Sequence, residues 1–155
     1  MKPWERWTFG LLAAIVSVTG GAYFWMKYLL VTDDPFAVVN HPWQGAMLAL
    51  HVVASPALIL LFGIVLNSHV LRKLGARRGP NRRSGLLSLG TFATMTASGY
   101  LLQVATGEAL LKLIVALHVA SGTLFVFAYA IHLVISVRVA RAQTYQARDY
   151  AALAG

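Results

Sequence analysis

The sequence predicts an all-α protein, a transmembrane four-helix bundle running up, down, up and down, and three observations carry that expectation. Hydrophobic residues make up 58% of the 155, against roughly 45–50% in soluble domains. Only 12% of residues are charged, and the apolar residues gather in runs of the roughly 20 residues that a helix needs to cross the hydrocarbon layer. Pro35 and Pro42 punctuate the first gap between runs and Gly79-Pro80-Asn81 the second. The expected spans cover about 7–30, 44–71, 86–104 and 109–139, in one membrane domain of residues 1–155.

The first run follows Lys2 and Arg6 but is too long for a signal-peptide core and lacks a small-residue cleavage site, so it is expected to be retained. Spans three and four are separated only by Ala105 to Glu108, which demands a tight antiparallel hairpin. Beyond Val139, the segment from Arg141 to Leu153 is expected to form a short amphipathic helix on the membrane surface.

Charge sets the orientation. Lys and Arg number 13 against 5 Asp and Glu. The bases lie before the first span, in the second connection from Arg72 to Arg83, and after the last span at Arg138, Arg141 and Arg148, leaving only Lys27 and Lys112 toward the other side. The positive-inside bias then puts both termini in the cytoplasm, in a membrane of the bacterial inner (plasma) type. The basic surplus is therefore topological, and no nucleic-acid partner is expected: the stretch 71–84 is short and has no interleaved aromatic residue. With no cysteine, disulfides, iron–sulfur clusters, thiolate zinc sites and covalent c-type haem attachment are excluded.

An ionisable side chain at bilayer depth costs several kcal/mol unless satisfied, so it marks a functional site. The expected spans contain four histidines, His51 and His69 on the second, His118 and His132 on the fourth, with no carboxylate beside them. At about 100° per residue, the eighteen residues from His51 to His69 return to one helix face and the fourteen from His118 to His132 miss it by about 40°. The axial separations, about 27 and 21 Å, differ by about 6 Å, and Pro56 is placed to bend the second helix. In an up-down bundle the second and fourth helices run parallel, which pairs His51 with His118 near the outer face and His69 with His132 near the inner one.

Facing imidazoles in an apolar slot are what bis-histidine ligation of haem iron requires. Gly10, Gly20 and Gly21 on the first helix, with Gly85 and Gly99 on the third, are expected to let a flat macrocycle approach the backbone. Lys27 and Lys112 outside, with Arg72, Lys73 and Arg138 inside, are placed to pair with propionates. Ser55, Ser121 and Thr96 are expected to supply supporting hydrogen bonds. His41, in Asn40-His41-Pro42-Trp43, sits at the outer interface, where anchoring is the expected role and a quinol contact the alternative. Tyr23, Trp25, Tyr28, Tyr100, Phe125, Phe127 and Tyr129 are assigned to packing and the interfacial belts.

The halves also repeat weakly. Ala49-Leu50-His51-Val52 matches Ala116-Leu117-His118-Val119, and each follows a helix with a small-residue turn, Val18-Thr19-Gly20-Gly21-Ala22-Tyr23 and Thr96-Ala97-Ser98-Gly99-Tyr100. On these residues the chain resembles the membrane four-helix dihaem b-type cytochromes, the superfamily that includes the cytochrome b core of bc complexes and the cytochrome b subunits of formate dehydrogenases and nickel–iron hydrogenases. The resemblance covers nearly the whole chain and implies two non-covalent b haems and electron transfer across a membrane. It further implies exchange with quinone and with an extracytoplasmic redox protein or cytochrome c, the chain acting as a subunit of a respiratory-type complex rather than a stand-alone enzyme. The alternative is a small transporter using the same histidines for a metal ion or protons without haem.

Overall fold

The computed structural model is helical almost throughout the residues it describes, namely 2–32, 34, 36, 37, 39–71 and 82–153, with side chains described for all of these except 68, 69, 82 and 147–153. No strand occurs among them. Four α-helices follow in order: α1 Pro3–Phe24, α2 Gln44–Val65, α3 Arg82–Val104 and α4 Glu108–Leu153. Single π-helical turns extend the first two, Trp25–Leu29 after α1 and Leu66–Val70 after α2. The chain divides into two compact units, Met1–Arg72 and Lys73–Gly155, each built on one pair of helices.

In the first unit α1 starts sharply because Pro3 fits the opening turn and because the backbone N–H of Lys2 donates to Glu5 Oε2 at 2.8 Å. One stripe of α1, Phe9, Ala13, Val16 and Thr19, is buried at the three- and four-residue spacing of a helix face. Leu58, Leu61 and Val65 of α2 complete this core. Phe9 meets Phe62 with ring centroids 6.4 Å apart, while the far end of α1 meets the start of α2, so the two helices are antiparallel. Asn40 ties that end together, donating from Nδ2 to Lys27 O at 3.2 Å and from its backbone N–H to Gln44 Oε1 at 3.3 Å.

The second unit is the tight hairpin expected. Ala105 N–H closes α3 on Leu101 O at 2.8 Å, and Leu111 N–H opens α4 on Gly107 O at 3.0 Å. Gly107 makes the reversal at φ +96°, a left-handed conformation that costs a side-chain-bearing residue about 1–2 kcal/mol. Phe92 and Phe125 pack edge to face at 5.3 Å, Phe125 stacks on Tyr129 at 5.7 Å, and Ile114, Ala128, Ser98 and Ser121 are buried with them.

Large apolar side chains stay uncovered on every helix: Trp7 is 72% exposed, Leu60 73% and Leu113 66%. Lipid is the solvent that removes this cost. Three helices among the described residues, Pro3–Leu29, Gln44–Val65 and Glu108–Gln146, are long and apolar enough to cross a membrane. The expected span 86–104 forms a helix but falls short of the others in apolarity, because α3 carries six Ser and Thr and three Gly. Its hydroxyls are nonetheless largely satisfied from within: those of Ser88, Thr91, Thr94 and Ser98 donate to the carbonyls of Ser84, Leu87, Gly90 and Thr94 at 2.8–3.0 Å, which lowers their cost in a dry environment. Two further expectations change. Residues 141–153 continue α4 without a break rather than forming a separate surface helix, so α4, at 46 residues, is about 69 Å long. A carboxylate does lie within the first apolar helix: Glu5 is only 3% exposed.

Candidate functional site

Of the four histidines in the expected spans, His51, His118 and His132 are described to their ring atoms, and each leans on the partner helix of its own hairpin at a glycine. In the first unit His51 Nδ1 lies 2.9 Å from Val16 O. A carbonyl oxygen only accepts, so Nδ1 carries the proton and the imidazole lone pair sits on Nε2. The ring edge fills the space over Gly20, where an added Cβ would meet His51 Cε1 at 2.7 Å and Nδ1 at 2.8 Å. Thr19 donates to the carbonyls of Ile15 at 2.7 Å and Val16 at 3.2 Å.

The second unit repeats this arrangement. His118 Nδ1 lies 3.0 Å from Met95 O and 3.2 Å from Ser98 Oγ. Ser98 is buried and its hydroxyl donates to Thr94 O at 2.8 Å or Met95 O at 2.9 Å, so toward His118 its oxygen accepts. The imidazole is again protonated on Nδ1, with its lone pair on Nε2. A Cβ on Gly99 would meet His118 Cε1 at 3.1 Å. Val16, Thr19 and Gly20 thus correspond position for position to Met95, Ser98 and Gly99: an anchoring carbonyl, a hydroxyl three residues on, then glycine.

His132, toward the other end of α4, meets a variant of this arrangement. Its Nδ1 lies 3.2 Å from Ser84 Oγ, and its Cε1 would be 3.5 Å from a Cβ on Gly85. Residue 81, whose carbonyl would correspond to those of Val16 and Met95, lies outside the described residues, as do Arg72, Lys73 and the side chain of His69. The backbone at His69 belongs to the π-helical turn Leu66–Val70, which winds less per residue than an α-helix, so the eighteen-residue return to the face of His51 does not hold through it.

No family model, curated protein or solved structure matches the chain.

A b-type haem requires neutral imidazoles with an outward lone pair, held in orientation by a bond from the other ring nitrogen. His51 and His118 meet that requirement, and His132 meets it when Ser84 accepts. Gly20 and Gly99 make room for imidazole edges from the partner helix, a Cβ on Gly85 would meet His132 at an ordinary contact distance of 3.5 Å, and Gly21 faces nothing within 4 Å; Gly10 lies half-buried on α1. His41 has the opposite tautomer, since its Nδ1 accepts from Trp43 N–H at 3.1 Å, which suits a local turn at the start of α2.

The charges expected near propionates have other neighbours in two cases. Lys112 pairs with Glu108 at 2.6 Å, and Lys27 Nζ lies 5.5 and 5.6 Å from the ring centroids of Tyr23 and Tyr28. Arg138 is exposed on α4. Ser55 and Ser121 bond to carbonyls of their own helices, His51 O at 2.6 Å and Leu117 O at 2.7 Å, and Thr96 Oγ1 is buried without a hydrogen-bond partner among the described residues. The hydroxyls that reach imidazoles are Ser98 and Ser84, which sequence reasoning missed. The signal was present: Ser84-Gly85 and Ser98-Gly99 lie fourteen residues apart on α3, matching His118 and His132 on α4. Fourteen residues before Thr19 on α1 stands Glu5, which the same register would have singled out. Among the described residues no three His, Asp or Glu side chains gather as a metal-binding group.

Proposed function

We propose that the chain is a dihaem b-type cytochrome of a bacterial inner membrane, spanning it four times with both termini in the cytoplasm, and that it conducts electrons between the two faces. The residues that would ligate haem iron are His51, His69, His118 and His132. The observation that carries this reading is the repeated carbonyl–hydroxyl–glycine arrangement, which locks His51 and His118 in the tautomer that presents Nε2 for ligation. A histidine serving only to join two helices needs its Nδ1 bond; it does not need the same tautomer and the same glycine at corresponding positions of two hairpins.

Bound there, haem iron accepts and releases single electrons. Val16 O, Met95 O and the serine hydroxyls fix the ring orientations and raise the basicity of the ligating nitrogens. Gly20 and Gly99 let those rings seat deeply, and the apolar stripes of both hairpins keep water from the imidazoles. Gly10, Gly21 and Gly85 allow close approach along α1 and α3, and Arg72 and Arg138 offer cations for propionates at the cytoplasmic end. The protein would act as the membrane subunit of a redox complex, exchanging electrons with quinone and with an extracytoplasmic redox protein or cytochrome c.

The test is a pyridine haemochrome assay on detergent-solubilised protein, expected to give two haems per chain and a Soret band that shifts on dithionite reduction. His118→Ala should leave one. A colourless protein that accumulates zinc or protons in vesicles would overturn the reading in favour of transport.

A further inference from the structure

His132 differs from His51 and His118 in what holds it. His51 and His118 donate from Nδ1 to backbone carbonyls at 2.9 and 3.0 Å, whereas His132 Nδ1 faces a side-chain hydroxyl, Ser84 Oγ, at 3.2 Å. An amide carbonyl is fixed in its helix and only accepts. A hydroxyl rotates, and it can donate or accept. If Ser84 donated, the proton of His132 would sit on Nε2 and that nitrogen could bind no metal. If it accepts, the proton sits on Nδ1 and Nε2 presents its lone pair.

We propose that Ser84 is the positioning residue for His132, accepting its Nδ1 proton and thereby setting the electron affinity of the haem that His132 ligates. This rests on the haem reading above. A bond from Nδ1 to an acceptor pushes electron density toward Nε2 and stabilises ferric over ferrous iron, so the stronger the acceptor, the lower the midpoint potential. A hydroxyl is the weakest of the acceptors in this series, below an amide carbonyl and a carboxylate. Ser84 is thus a point at which the haem of His132 can be tuned while the backbone-anchored His51 and His118 are left alone.

The test is a spectroscopic redox titration of Ser84→Ala, Ser84→Thr and Ser84→Asp beside the unmodified protein, with haem content measured in each. Removing the acceptor in Ser84→Ala should raise the midpoint of one of the two redox waves. Ser84→Asp should lower that same wave, Ser84→Thr should leave it in place, and the other wave should stay fixed throughout. Loss of one haem from Ser84→Ala with retention in Ser84→Thr also supports the proposal, since only the hydroxyl separates them. Two haems with both waves unmoved in Ser84→Ala and Ser84→Asp overturn it while leaving the haem reading intact. An unmodified protein without haem overturns both.

Discussion

The imidazole seated on Gly20 makes a graded prediction that needs no cofactor. An alanine at position 20 would place its Cβ 2.7 Å from His51 Cε1 and 2.8 Å from Nδ1, where carbon atoms pack at about 3.5–4.0 Å. The ring must retreat by roughly 1 Å, and from 2.9 Å that carries Nδ1 beyond hydrogen-bond reach of Val16 O. Overpacking costs about 1–3 kcal/mol and the lost bond about 1 kcal/mol, against about 1 kcal/mol gained by replacing a helical glycine. Gly20→Ala should therefore destabilise the protein by about 1–3 kcal/mol. Gly21, one residue on, meets nothing within 4 Å, so Gly21→Ala should stabilise by about 1 kcal/mol. Gly99→Ala, with contacts at 3.1 and 3.4 Å, should lie between them, and Gly85→Ala, at 3.5 Å, should resemble Gly21→Ala. The assay is unfolding of haem-free protein in mixed micelles by titration with a denaturing detergent, followed by tryptophan fluorescence. Equal stability of Gly20→Ala and Gly21→Ala would refute the seating of His51 against α1.

Two further substitutions probe the second hairpin. Gly107→Ala forces a side chain into φ +96° and should cost about 1–2 kcal/mol by the same unfolding assay. Ser98→Ala removes one acceptor from His118 but leaves Met95 O at 3.0 Å; it should cost about 1 kcal/mol, with the Nδ1–H tautomer retained in 15N histidine spectra.

The helices were legible because periodicity and apolar length survive any detail of packing, and the tight turn at Ala105–Gly107 followed from its shortness. Hydropathy alone misled twice. It began the first helix at Trp7 and so left Glu5 outside, although Pro3 and the bond from Lys2 N–H to Glu5 start the helix earlier. It also treated α3 as the equal of the others, where bonds from hydroxyl to carbonyl rather than apolar composition satisfy much of its polar surface. The π-helical turns could not be foreseen from a count that assumes 3.6 residues per turn, and the turn at Leu66–Val70 bears directly on His69. The glycines stand out in the sequence, but it does not tell that an imidazole edge from the partner helix lies against Gly20 and Gly99.

The distances over the three glycines follow from what anchors each ring. In a helix the carbonyl of residue i points along the axis toward residue i+4. An imidazole that donates to the carbonyl of Val16 must therefore lie over residue 20, and only a glycine there leaves room. Where the carbonyl holds the ring, the closest approach to an added Cβ is 2.7 Å; where carbonyl and Ser98 hydroxyl share His118 it is 3.1 Å; where the Ser84 hydroxyl stands off the backbone and holds His132 it is 3.5 Å. Anchor and glycine are thus one device: a backbone anchor makes the glycine four residues on obligatory, while a side-chain anchor relaxes that demand. Moving the anchor of His132 from hydroxyl to backbone should then make Gly85 as intolerant of alanine as Gly20, and the double variant Ser84→Ala with Gly85→Ala separates the cases. If its stability equals the sum of the two single changes, Ser84 and Gly85 act on His132 independently; a shortfall beyond about 0.5 kcal/mol shows the ring pressing onto the backbone once its hydroxyl is gone.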